Sequence, residues 1–445
     1  MKRILFLLLV LFAAHGFEES AVYEYKVTGN VTNGYLILRV PFNTSSQKVI
    51  QITPHEVFSD EYGDYVKLSG EFEYKAIVEV NASPLRFSTA SGDIGKFLES
   101  TKYVDVTPEV IEKAEEITAS AEDDYEKTAE IIKWVFENMK YNISKTGTRR
   151  KASEILREMN GVCGDYSILS AALLRAIGIP TKYVEGFLVE DESYVPHAWI
   201  EVYINGKWIP ADPTNGEFFT KADKIKLVEA EDPSKGSDKI VGVNPVLERK
   251  IFITKITESS SKLFNTHLLL AHEKTAPGSY NQLMVTVKND NPFTVASLVR
   301  VFTDEDINLK EKIKTLVVPP YSSRTITFDF NLSSALSPEY VYSFPIVVVT
   351  IDSQQKITLQ ASDDYPYYSV KGIQVTQVNE INYEHPEAKV RINYSEIMKY
   401  VVVVLIIAVL LFAARNKNQK IKNTYEKHLT ERKIKKSLQA LSKED

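Results

Sequence analysis

One segment, residues 161–216, constrains this chain more than any other, because it places three reactive types of side chain in a fixed order at the edges of predicted elements. It holds Cys163, the only cysteine of the 445 residues, so these residues can form no intramolecular disulfide bond. Apolar residues recur at helical spacing over 167–177, and Gly178 follows as a typical helix stop. The pattern predicts that Cys163 lies in the first turn of a helix.

Two strand-like runs follow the helix, and each carries a side chain suited to acid–base chemistry. The expected sheet places His197 on one strand and Asp212 at the end of the next. A helix N-terminus stabilises a thiolate, a nearby imidazole can take the thiol proton and return it to a leaving group, and a carboxylate on the other ring nitrogen can fix the imidazole tautomer. Cysteine, histidine and aspartate in this order are therefore typical of nucleophilic thiol catalysis.

Four short motifs in this segment resemble the transglutaminase-like superfamily. They are Gly-Val-Cys-Gly at 161–164, Ala-Leu-Leu-Arg-Ala-Ile-Gly-Ile-Pro at 172–180, His-Ala-Trp at 197–199 and Asp-Pro-Thr at 212–214. The similarity extends upstream through a predicted helix at 125–135 and covers roughly residues 101–217. The resemblance implies a papain-like core in which Cys163 is the nucleophile, His197 is the base and Asp212 is the carboxylate that orients the histidine.

The resemblance leaves the reaction open, because relatives include transamidases, peptidases, glycopeptide amidases and inactive scaffolds. Taken singly, a cysteine at a helix start or an Asp-Pro-Thr turn is more often structural than catalytic. The ordered set favours a cell-surface thiol enzyme that acts on amide bonds of proteins or peptides, and peptidase-like hydrolysis is narrowly preferred over transamidation. The alternative is a surface binding or structural protein that keeps the fold without turnover.

Other kinds of chemistry find little support in the sequence. His55-Glu56 and His272-Glu273 begin like a zinc-protease helix, but neither is followed by a second histidine at the required spacing. The seven histidines and one cysteine form no visible metal cluster, so no cofactor and no metal are expected. Because the formal net charge is −6, a nucleic acid is not expected as a partner.

Both ends of the chain carry signals of export and anchoring. Lys2 and Arg3 precede an apolar run, so residues 1–16 are predicted to be a signal peptide, with an uncleaved anchor as the alternative. A second apolar run predicts one transmembrane helix at 398–414. The tail at 415–445 carries a formal charge of +6, which by the positive-inside rule predicts a single-pass membrane protein with a cytoplasmic tail and an extracytoplasmic bulk.

Short alternating strands with turn signals flank the core on both sides. Residues 17–100 predict an N-terminal β domain of the sandwich type, 250–362 predict an immunoglobulin-like β-sandwich, and 363–397 predict a stalk. The core itself is expected at 101–247, where helices precede a short antiparallel sheet. The predicted fold class is therefore an α+β papain-like transglutaminase core between β-sandwich domains, with one C-terminal transmembrane helix.

Overall fold

The described part of the chain consists of residues 19–83, 93–190, 193–219 and 221–369 of a computed structural model. The predicted signal peptide, transmembrane helix and basic tail lie outside these residues, as does most of the predicted stalk. No helix among the described residues is long and apolar enough to span a membrane. The structure therefore describes the region around the three candidate side chains and the β-structure on either side of it.

The N-terminal segment forms long, alternating strands. They are β1 (Ser20–Val40), β2 (Gln47–Ile52), β3 (Val57–Asp60) and β4 (Gly63–Asn81). Strands β1 and β4 pair antiparallel, and alternate side chains such as Tyr23, Tyr25 and Val27 are buried. A period of two is the pattern of a strand with one buried face, so the local sequence predicts β-structure here correctly.

A set of helices and two short strands comes next. The α-helices are α1 (Pro108–Thr118), α2 (Asp124–Asn138), α3 (Ala152–Glu158) and α4 (Cys163–Ala176), the 3-10 helices are Gly95–Leu98 and Ile143–Lys145, and the strands are β5 (Lys140–Tyr141) and β6 (Asn160–Gly161). The Asp123 carboxylate accepts the N–H of Glu126 and caps α2. Helix α4 is buried from Asp165 to Arg175, so it carries apolar or small side chains on nearly every face.

A five-stranded antiparallel sheet, called the core sheet, packs on α4. Its strands are β7 (Thr181–Glu190), β8 (Ser193–Ile204), β9 (Lys207–Asp212), β10 (Glu217–Phe218) and β11 (Lys224–Ala230), in the spatial order β10-β9-β8-β7-β11. Ile200 of β8 and Leu169 of α4 belong to one apolar core. Because β8 and β9 are neighbours in the sheet, His197 and Asp212 lie on adjacent strands.

The N-terminal β-structure differs from the self-contained sandwich predicted for residues 17–100. Strand β12 (Lys239–Ser259) pairs antiparallel with β1, from Ser20 opposite Ser259 to Ile37 opposite Lys239. It completes one five-stranded sheet, the N-terminal sheet, in the order β12-β1-β4-β2 with β3 on β4. The domain boundary predicted at 247–250 therefore falls inside a continuous strand. A ladder partner so distant in sequence leaves no local signal, because strand patterns identify a buried face and not the neighbouring strand.

The N-terminal sheet packs against the core sheet. The Tyr23 hydroxyl donates to the Ala222 carbonyl at 2.8 Å. The Gln47 side chain forms two hydrogen bonds with the backbone of Lys226, donating to its carbonyl at 2.9 Å and accepting its N–H at 2.8 Å. These buried contacts tie β11 to the N-terminal sheet.

Nine strands form two further sheets. They are β13 (Asn265–Leu270), β14 (Lys274–Thr275), β15 (Tyr280–Lys288), β16 (Val295–Phe302), β17 (Ile307–Leu309), β18 (Ile313–Val318), β19 (Ser323–Leu332), β20 (Tyr342–Val349) and β21 (Gln354–Ala361). The sheet β13-β15-β19-β17 and the sheet β14-β21-β20-β16-β18 share a core that includes Phe328 and Ile346. Arg324 forms an ion pair with Glu126 of α2 at 2.9 Å, which joins this region to the helices.

Candidate active site

Cys163 is the first residue of α4, as the sequence pattern predicts, and it is partly exposed. The turn before it is held by the carboxylate of Asp165, which accepts the N–H of Val162 at 2.9 Å. Arg150 forms an ion pair with the same carboxylate at 2.8 Å, and both of these side chains are buried. The helix start that presents the thiol is therefore fixed by a capping carboxylate whose charge is balanced by an arginine.

Gly161 is required by this capping arrangement. A Cβ atom at this position would lie 2.3 Å from Asp165 Oδ2 and 2.5 Å from Arg150 Nη2. Gly164, on the other side of the cysteine, has more room, because its Cβ would lie 3.3 Å from the Tyr183 hydroxyl. The glycine before Cys163 thus allows a buried ion pair to approach the backbone closely.

His197 is buried on β8 between two polar partners. Its Nε2 lies 2.7 Å from Asp212 Oδ2, and Cys163 lies near enough to act on the pKa of the imidazole. Trp199 stacks beside the imidazole, with ring centroids 6.3 Å apart and planes inclined by 16°. Because the carboxylate occupies Nε2, Nδ1 is the ring nitrogen left to face the thiol. Burial lowers the pKa of His197, but the hydrogen bonds to Asp212 and Cys163 outweigh it and raise this pKa to about 9.

Asp212, the last residue of β9, is fully buried, and its carboxylate accepts hydrogen bonds from three neighbouring residues. Its Oδ1 accepts the N–H of Thr214 at 3.0 Å, and its Oδ2 accepts the Asn215 side-chain amide at 3.1 Å in addition to His197. Burial raises the pKa of this carboxyl, but the nearby Lys224 ammonium and the hydrogen bond from His197 bring it below its usual range. Asp212 is therefore an ionised carboxylate held in one orientation.

The structure brings all three predicted side chains together and adds others that the sequence analysis missed. Asn215 follows Asp212 in the same turn, so an Asx-type interaction there is locally visible. Lys224 reaches the site from β11 and leaves no local signal. Tyr141 of β5 is 58% exposed, and partial burial together with the influence of Cys163 raises the pKa of its phenol. Within the described residues, no group of three or more His, Cys, Asp or Glu side chains is arranged to hold a metal ion.

Comparison with known proteins identifies the core. Residues 111–213 match the family model of the transglutaminase-like superfamily, and this range contains Cys163, His197 and Asp212. The core of the chain therefore belongs to the transglutaminase-like superfamily, as its four motifs predict, and β-sheets accompany it on both sides.

Curated relatives cover this core only in part. The chain is 30% identical over 126 residues to an uncharacterized protein of Mycobacterium leprae, which corresponds to 26% of this chain and 44% of that protein. It is 29% identical over 97 residues to an uncharacterized protein of Mycobacterium bovis, or 19% of this chain and 31% of that protein. The chain thus spans less than half the length of these two relatives.

Two solved structures are similar to part of the chain. A proposed cysteine protease from Cytophaga hutchinsonii has a TM-score of 0.44 and 21% identity, over 56% of this chain and 93% of that one. The periplasmic domain of TgpA from Pseudomonas aeruginosa has a TM-score of 0.29 and 15% identity, over 44% of this chain and 91% of that one.

Proposed function

We propose that this protein is a thiol enzyme that acts on amide bonds of proteins or peptides. Cys163 is the nucleophile, His197 is the general base and then the general acid, and Asp212 orients the imidazole. The observation that carries the proposal is the buried pair of His197 and Asp212, joined at 2.7 Å, with Cys163 near enough to raise the pKa of the imidazole. Such an arrangement supplies a nucleophile, a proton carrier and an orienting group close to one another.

The proposed reaction proceeds in two halves. His197 takes the thiol proton as the Cys163 sulfur attacks the amide carbonyl carbon, and it gives that proton to the leaving amine as the C–N bond breaks, which leaves a thioester. Water or a second amine then attacks the thioester while His197 accepts its proton, and the thiol is regenerated. The N–H of Cys163 is the candidate oxyanion donor, because the first N–H groups of a helix have no partner within the helix.

We prefer hydrolysis to transamidation as the second half-reaction. Cys163 is partly exposed, so water can reach a thioester formed on its sulfur. Transamidation requires a site that admits an amine while it limits access by water. Partial exposure of the nucleophile therefore supports a peptidase-like outcome.

A peptide library with an excess of a labelled primary amine distinguishes the possible reactions. The purified protein is expected to cleave a subset of the peptides, and the masses of the products identify the bonds. Amine-labelled glutamine residues would instead indicate transamidation. Unchanged masses, with Cys163 shown to be reduced, would support a binding or structural scaffold. The Cys163→Ala variant is the matched control, since any product that persists with it comes from another source.

We also propose that the chain is exported and anchored, with the core outside the membrane. The support is the charge pattern of the segments at 1–16, 398–414 and 415–445. Protease treatment of intact cells is expected to remove the region around Cys163 and to spare the basic tail. Antibodies against the two regions would measure this, and protection of the Cys163 region with loss of the tail would reverse the topology.

A further inference from the structure

A lysine is buried directly behind the candidate carboxylate. Lys224 is the first residue of β11, and its side chain is 2% exposed. Its Nζ lies 3.5 Å from Asp212 Oδ2, 3.1 Å from Glu217 Oε2 and 3.0 Å from Asp223 Oδ1. None of the proposed chemical steps uses this ammonium, although it lies one side chain away from His197.

We propose that Lys224 is a positioning residue, whose ammonium keeps the Asp212 carboxylate ionised and in place so that Asp212 can orient His197. The inference rests on the proposed function, because it assigns Lys224 a part in the same Cys163–His197–Asp212 series. The proposed role differs from that of Asn215, which supplies a hydrogen bond to Asp212 but no charge.

Burial makes this charge necessary. A carboxylate removed from water tends to take up a proton, and burial alone raises the pKa of Asp212. Lys224 is the largest influence in the opposite direction, ahead of the hydrogen bond from His197. Burial also lowers the pKa of Lys224, but Glu217, Asp223 and Asp212 outweigh it and hold this pKa well above its ordinary value. Lys224 therefore stays charged wherever the Asp212 carboxylate is needed.

The neighbouring elements supply few other charges to Asp212. His197 faces it from β8 and Glu217 from β10, and Asp223, the residue before β11, lies beside Lys224. A cavity of about 20 Å³ next to Lys224 is also lined by Lys221, Glu201 and Lys226, and the N-terminal sheet contributes Gln47 and Asn81, which carry no charge. Among the described residues, the cationic side chains within 4 Å of the Asp212 carboxylate are His197 and Lys224.

The sign of the expected effect follows from this arrangement. Removal of a buried positive charge makes proton uptake by the neighbouring carboxyl more favourable, so Lys224→Met is expected to raise the pKa of Asp212 by about 1 to 3 units, the range typical for loss of an adjacent opposite charge. Once Asp212 takes up a proton, it no longer stabilises the imidazolium beside Cys163, so the acid limb of the pH profile of Cys163 reactivity should move to higher pH. Lys224→Arg keeps the charge and should leave the limb near its original position.

The test measures the rate of Cys163 alkylation by iodoacetamide as a function of pH in the full chain. This readout needs no knowledge of the substrate. Lys226→Met is the matched control, because Lys226 is also buried on β11 but forms its ion pairs with Glu201 and Glu229. The Lys226 variant is expected to lose a comparable buried charge without moving the acid limb, so a shift confined to Lys224→Met separates an effect on Asp212 from general loss of stability.

The outcomes separate the inference from the proposed function. Wild-type protein without selective alkylation of Cys163 near neutral pH would overturn the proposed function and the inference with it. Selective alkylation with an unmoved acid limb in Lys224→Met would overturn the inference alone. If Lys224→Met does not fold, Asp223→Asn decides, because Asp223 is 22% exposed and its loss removes a negative charge beside Lys224. A shift to lower pH in Asp223→Asn supports the inference, and an unmoved limb overturns it.

Discussion

The Cys163→Ser variant is expected to lose turnover by roughly four to six powers of ten, the loss seen when the nucleophile of a catalytic triad is removed. Serine keeps nearly the size of cysteine and can still hydrogen-bond His197, so the surrounding structure should persist. A hydroxyl is far harder to ionise than a thiol, however, so the imidazole cannot turn it into an equally reactive nucleophile. Initial rates on a peptide identified from the library measure this loss.

Ser167→Ala provides the control for the Cys163 variant. Ser167 lies one helical turn further along α4, where its hydroxyl donates to the Cys163 carbonyl at 3.0 Å. Its loss removes a local hydrogen bond without touching the sulfur, so turnover should change by less than about tenfold. If Cys163→Ser retained a comparable rate, the nucleophile would have to be sought elsewhere in the chain.

The Asp212→Asn variant is expected to lower turnover by roughly 10³- to 10⁴-fold, because an amide can present its N–H to the imidazole and favour the wrong tautomer. Loss of the negative charge also removes one of the two hydrogen-bonding partners that raise the pKa of His197. The titration midpoint of the imidazole should therefore fall from about 9 towards its ordinary value. Histidine-selective NMR measures the midpoint, with a His197→Gln variant to assign the signal.

Asn215→Ala is the matched control for Asp212→Asn. It removes one of the neutral hydrogen bonds to Asp212 while leaving the carboxylate charge and the contact with His197 in place. We expect a loss of turnover of about tenfold, in line with one hydrogen bond to a charged group, and a small change in the His197 midpoint. A His197 midpoint near its ordinary value in the wild-type protein would contradict the ion pair with Asp212.

The residues around Cys163 and Asp212 show which structural features can be predicted from neighbouring residues in the sequence. The helix that begins at Cys163 and ends before Gly178 could be predicted, because helical periodicity and a glycine stop are encoded in consecutive residues. The turn after Asp212 was equally visible. The sequence showed Gly161 only as part of a motif. The physical reason for a glycine there is the close approach of Arg150, which reaches the turn from the loop before α3 and could not be predicted locally.

The sequence by itself thus determined the α+β core, the start of the cysteine helix and the order of the three candidate side chains. Only the tertiary structure decided that β12 completes the N-terminal sheet and that Lys224 lies behind Asp212. The physical reason is the same in both cases. Helix limits and turns depend on the backbone preferences of adjacent residues, whereas strand pairing and buried ion pairs depend on which distant segments meet when the chain folds.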